Sequence, residues 1–198
     1  AVMLGNNPPI HHDTTDALDI SFLGTDFGVG SNANIPSLVQ MVSNPVFGDL
    51  DQDGYPEYIT GAVSSVYLAS LAARNVVEYH QGVGAWSGQS GEMLSGWPRQ
   101  IEDVQFLAAP AVADVSGDGM PEAVMVSAGY LVHAWDATGA EADGFPKMTG
   151  SWILGSPAIG DVDGDGFLDI AVTTREGWLF VWGTEGRADQ KIEWASLH

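Results

Sequence analysis

One thirteen-residue segment occurs three times in this chain without a gap, and no other feature restricts the possible folds as much. The copies are residues 45–57 (PVFGDLDQDGYPE), 110–122 (PAVADVSGDGMPE) and 157–169 (PAIGDVDGDGFLD). Each is followed by a β-rich run, at 58–60, 123–127 and 170–174. In the later two a second run follows Gly129 and Gly177, at 130–135 and 178–182. The order strand, acidic loop, strand, turn, strand predicts an all-β repeat protein. Twenty-five glycines and ten prolines fit the many tight turns such a chain needs.

The spacing of the copies gives the organisation. Asp49 and Asp114 are 65 residues apart and Asp114 and Asp161 are 47 apart, so the first unit carries extra sequence. Shared landmarks at Gly96-Trp97-Pro98 and Gly144-Phe145-Pro146 place the insertion near 62–75, where Val66, Leu68, Ala69, Leu71 and Ala72 suit a short surface helix. Trp194 falls where the third unit should carry the same aromatic landmark. A period in the forties with about four strands per unit is the pattern of β-propeller blades. The expected layout is an N-terminal extension or remnant of a preceding blade over 1–43, then three repeats at about 44–98, 99–146 and 147–198. A closed ring takes about four to eight blades, so other blades or chains are expected to complete the fold.

The loops have the composition of a calcium site. Calcium takes about six to eight hard oxygens, which a tight loop supplies from alternate positions. Asp49, Asp51, Asp53 and Glu57 stand at positions 1, 3, 5 and 9 of the first loop, with the Tyr55 carbonyl at position 7 and Gly54 at the sharp turn. Asp161, Asp163, Asp165, Asp169 and the Phe167 carbonyl repeat the set in the third. In the second, Ser116 replaces an acid beside Asp114, Asp118, Glu122 and the Met120 carbonyl, and this loop is expected to bind most weakly. An EF-hand is excluded, because its bidentate glutamate position is Thr60, Met125 and Val172 here and the flanks are β-rich. Eleven of the 26 acids lie in these loops, which favours about three bound calcium ions, structural in role, over turns that merely happen to be acidic.

The Pro-x-x-Gly/Ala-Asp lead-in, the Asp-x-Asp-x-Asp-Gly-x-x-Asp/Glu loop and the strand after it resemble the FG-GAP/VCBS repeat family from about Asn44 to Trp194. That repeat is found in integrin α-subunit propellers and in large secreted bacterial proteins. The resemblance implies β-propeller blades, calcium in the loops, and an extracellular or cell-surface setting, secreted and bacterial.

Other chemistry is poorly supported. A net charge of −20, with six basic residues, argues against nucleic acid and anionic lipid as partners. Cysteine is absent, which removes disulfides, thiolate metal sites and a cysteine nucleophile. No apolar run is long enough to span a membrane as a helix, so no membrane insertion is expected. Ala1, with no Met and no signal sequence behind it, reads as the start of a mature product or an excised piece. Gly88-Gln89-Ser90-Gly91 lacks the last glycine of a nucleophile elbow and reads as a hairpin turn. The loop from Gly28 to Asn34 is not followed by a helix, so it is no dinucleotide site, and adjacent His11 and His12 point apart in an extended segment. His80 and His133 are expected to pack or hydrogen-bond within strands. Trp135 and Trp182 share a repeat position and are expected in the core, whereas Trp86 and Trp152 fall outside it and are the surface candidates. The chain thus reads as a non-catalytic interaction or scaffold module taking a protein or glycan ligand. A lectin domain, or an accessory domain of a larger secreted hydrolase, is the alternative.

Overall fold

The structure, a computed structural model, describes residues 41–42, 44–63, 81–103 and 108–196. Among these residues there is no helix, and all strands lie in three antiparallel sheets. The first sheet contains β1 (Met41–Val42), β2 (Val46–Gly48), β3 (Glu57–Val63), β4 (Gln81–Trp86) and β5 (Arg99–Gln100), with β1 and β2 sharing one edge of β3. The second runs β6 (Ala111–Ala113), β7 (Glu122–Val126), β8 (Leu131–Trp135), β9 (Lys147–Met148). The third is β10 (Ala158–Gly160), β11 (Phe167–Thr173), β12 (Leu179–Arg187), after which β13 (Ile192–Trp194) returns to pair with β6.

The second sheet is the middle layer. Successive side chains of a strand point to opposite faces. On β7, Ala123 and Met125 therefore join Val46, Leu50, Ile59 and Val83 of the first sheet, while Val124 and Val126 join Ile159, Leu168, Ile170 and Val172 of the third. Covered on both faces, β7 is buried at every residue and reads as an unbroken apolar run after Glu122. Truncating a fully buried side chain such as Leu50 or Ile170 to alanine should cost about 2–5 kcal/mol. The third sheet is covered on one face only: Phe180 and Trp182 pack toward the second sheet, and Leu179 and Val181, on the other face of β12, are exposed.

Several expectations need correction. Trp86 is buried at 2% exposure, not on the surface. It pairs with Tyr58 across the strands as Trp135 pairs with Ala123 and Trp182 with Ile170, so all three tryptophans hold one repeat position. Its indole lies over Gly84, where any side chain would collide with it, and its ring centroid is 5.7 Å from that of Tyr58. Trp194 does not supply an outer strand to the third sheet. Outer strands β5 and β9 follow cis Trp97–Pro98 and Phe145–Pro146 bonds; the third unit has no such proline, and β13 instead pairs with β6, while just beyond it the Ala195 carbonyl accepts from the Ile159 N–H at 2.9 Å.

The sheets share short strands across the approximate repeat limits. β1 precedes residue 44, and β5 and β9 belong to the sheets before them. Residues 62–63 end β3, and the rest of the expected insertion, its helix, residues 1–40 and His80 lie outside the described residues. The turns after β7 and β11 close alike, Ser127 N to Leu131 O and Thr174 N to Trp178 O at 2.9 Å each, with Tyr130 (φ 76°) and Gly177 (φ 88°) as their left-handed residues. Gly177 therefore matches Tyr130, not Gly129.

His133 behaves as expected of a packing and hydrogen-bonding residue. Its ring stacks on Trp135 at 4.8 Å, with Nε2 3.0 Å from Glu102 and Nδ1 3.1 Å from Glu141. Burial alone would lower its pKa, but hydrogen bonds and charge from the two glutamates prevail and push it up to about 9. The histidine is an imidazolium tying the residues after β5 to the β8–β9 hairpin. Because the folded value lies above the free one near 6.5, its stabilisation is complete below about pH 6 and disappears as pH rises through about 9. Thermal melts from pH 6 to 10 should therefore show a loss that sets in above about pH 6.5, is complete once pH has passed about 9, and is flattened by His133→Gln. An identical slope in both proteins would refute this role.

Candidate metal centres

The acidic loops join β2 to β3, β6 to β7 and β10 to β11, so all three sit at the same end of their sheets. Strand pairing fixes each mouth identically: Gly48 faces Glu57, Ala113 faces Glu122, and Gly160 faces Asp169. The position-9 acid, the first residue of β3 and β7 and the third of β11, turns its carboxylate back into the loop. There it accepts the N–H of position 2, Leu50 at 2.7 Å, Val115 at 2.7 Å and Val162 at 2.8 Å.

The remaining acids follow the same design. The position-1 carboxylate accepts the N–H of the position-6 glycine, at 3.1 Å for Asp49 and Gly54, 2.9 Å for Asp114 and Gly119, and 3.1 Å for Asp161 and Gly166. Asp53, Asp118 and Asp165 at position 5 each accept the N–H of position 7, Tyr55, Met120 and Phe167, at 2.8 Å. Position 3 accepts from position 5, through Asp51 and Asp163 at 3.1 Å and through the Ser116 hydroxyl at 3.4 Å. Positions 4 and 6 are left-handed in every loop: Gln52 and Gly54, Gly117 and Gly119, Gly164 and Gly166. Two such residues in close succession coil the chain so that alternate carboxylates converge.

Carboxylate oxygens come within 4.8 Å of one another for Asp49, Asp51 and Asp53, for Asp114, Asp118 and Glu122, and for Asp161, Asp163 and Asp169. Glu57 and Asp165 stand outside these triads, and Ser116 Oγ lies 3.5 Å from Asp114 Oδ1. Between them the triads use positions 1, 3, 5 and 9, the four read from the sequence. A cation fits these residues on a further ground: Asp49 Oδ1 and Glu57 Oε1 are buried oxygens without a hydrogen-bond partner. A buried carboxylate oxygen without a donor is costly unless a positive charge faces it. Burial pushes the Glu57 carboxyl up to about 7, with Asp51 and Asp49 adding to the rise against the opposing Leu50 and Gly88 N–H groups, and burial pushes Glu122 up to about 6.

The loops touch one another. Gln52 Nε2 donates to the Gly119 carbonyl at 2.5 Å, joining the first to the second. A side chain on Gly186 would fall on the Asp114 carbonyl, and one on Gly117 on the Glu185 carbonyl, so the end of β12 packs backbone to backbone against the second loop. This middle loop is the most enclosed, with Asp114 and Glu122 both buried, and it is also the one with an acid fewer. The bond from Gln52 had no sequence signal of its own, although Gly117 and Gly164 mark its left-handed position in the other copies.

Residues 114–172, which include the second and third loops, match the family described as FG-GAP-like repeat, and the resemblance read from the sequence holds over that span. Among solved structures, the V. cholerae biofilm matrix protein Bap1 is similar at 22% identity with a TM-score of 0.45, over 76% of this chain and 26% of that protein. The chain thus spans about a quarter of that protein's length. No curated protein matches the chain.

The packing around the left-handed glycines predicts an asymmetry between equivalent substitutions. Gly164 has open space where a Cβ would go, so Gly164→Ala should cost only the left-handed strain, about 1 kcal/mol. Gly117→Ala adds a collision with the Glu185 backbone and should destabilise clearly more, as read from chemical denaturation midpoints. Equal losses would contradict the packing of β12 on the second loop.

Proposed function

We propose that this chain is a calcium-stabilised β-propeller segment acting as an extracellular interaction or scaffold module. The observation that carries the reading is the threefold recurrence of one loop whose backbone hydrogen bonds hold several carboxylates together at the mouth of a strand pair. Asp49, Asp51, Asp53, Glu57 and the Tyr55 carbonyl would hold the first ion; Asp114, Ser116, Asp118, Glu122 and the Met120 carbonyl the second; Asp161, Asp163, Asp165, Asp169 and the Phe167 carbonyl the third. Calcium suits an all-oxygen set supplied by a short loop, and its charge would meet the orphaned oxygens of Asp49 and Glu57. The role is structural: the ion neutralises acids that otherwise repel and joins two strands of each sheet.

Three stacked sheets with one face of β12 uncovered support a segment that works beside further blades or other chains. The FG-GAP-like repeat accords with a secreted, bacterial, non-catalytic module whose partner is a protein or a glycan. No helix among the described residues is long and apolar enough to cross a membrane.

Calorimetric titration of the chelator-stripped chain with calcium should give about three sites, one for each loop. Asp161→Asn should abolish or strongly weaken one site, and Ser116→Asp should tighten the weakest by adding a fourth carboxylate to the second loop. Absence of binding, or an isotherm that neither substitution changes, would exclude these loops as the calcium sites.

A further inference from the structure

At the end of the sheets opposite the metal loops, three separate segments bring aromatic rings and a cation to one surface. Tyr130 lies in the β7–β8 turn, Trp152 in the connection from β9 to β10, and Arg175 and Trp178 in the β11–β12 turn. Trp152 Nε1 donates to Tyr130 Oη at 3.2 Å, and the Arg175 N–H donates to the Trp152 carbonyl at 2.8 Å. The Arg175 guanidinium stands 5.5 Å from the centroid of the Trp152 ring. These contacts fix the Trp152 ring while leaving it 39% exposed, with Tyr130 at 37% and Trp178 at 67%.

Arg175 is unusual for this chain. With 26 acids against six bases, a guanidinium would readily find a carboxylate, yet among the described residues none pairs with Arg175. Arg175 is exposed, with its guanidinium over an aromatic ring. The exposed tryptophan face is electron-rich and meets the polarised C–H bonds of a pyranose ring, while hydroxyls at the ring's edge need donors and acceptors in the same plane. Arg175 and the Tyr130 hydroxyl supply both. A densely anionic polymer is disfavoured by the net charge of −20.

We propose that Tyr130, Trp152, Arg175 and Trp178 form a binding site for a neutral glycan, with Trp178 stacking on a sugar ring and Arg175 and Tyr130 Oη bonding its hydroxyls. The site is remote from the metal loops and depends on the extracellular reading only for the ligand's availability. The test is calorimetric titration of the whole chain, in calcium buffer, with neutral hexasaccharides of glucose, mannose and galactose. At least one should bind saturably, with affinity lowered about tenfold or more by Trp178→Ala and by Arg175→Ala. Trp178 is exposed, so Trp178→Ala should leave the calcium titration and the melting curve unchanged, which separates a failure of this site from a failure of the metal sites. Binding by none of the sugars, binding only to acidic oligosaccharides, or binding that both substitutions leave intact would overturn the proposal.

Discussion

The fold depends on one contact made three times: the carboxylate facing the end of the first strand reaches back from the second to accept the N–H of the second loop residue. Glu57, Glu122 and Asp169 are all buried, and each locks the turn between the first two strands of its sheet. The cost is electrostatic. The same bond that shapes the loop draws an acid toward the others, and burial raises the pKa of Glu57 and Glu122. A loop of this design is self-consistent as backbone geometry and unbalanced as charge, and that imbalance is what a divalent cation would relieve.

The loops also influence packing beyond their own sheets. Through Gln52 the first leans on the second, and the second carries the end of β12, so the acidic end of the molecule is a connected surface. The middle loop meets neighbours on both sides and carries serine where the others carry aspartate. Fewer charges where less water can reach them is what desolvation favours. At the opposite end there is no such constraint, and the turns there differ in sequence: Tyr130 holds a left-handed position that Gly177 holds in the next copy.

The sequence disclosed what repeats and concealed what does not. Thirteen-residue identity of pattern was enough to place the loops, their acids and the strands on either side, because the chemistry of each loop is local. The register of Trp86 was hidden by the extra residues between β3 and β4, which break the count that aligns Trp135 with Trp182; only strand pairing with Tyr58 restores it. The route of β13 was equally illegible, since a strand joining the second sheet from beyond the third leaves no periodic trace. Glu102 and Glu141 lie 31 and 8 residues from His133, and nothing in either spacing announces that they bracket one imidazole. The convergence of Tyr130, Trp152 and Arg175 is likewise a product of sheet stacking.

The balance between backbone order and charge in the loops is tested most directly by melting the chain in excess chelator and again after calcium is restored. If cations complete these loops, the midpoint falls in chelator and recovers with calcium, and magnesium, which demands a tighter octahedral site, restores much less. A melting curve that is the same with and without calcium would contradict a stabilising role for the ions and leave the acid clusters as turns held by hydrogen bonds alone.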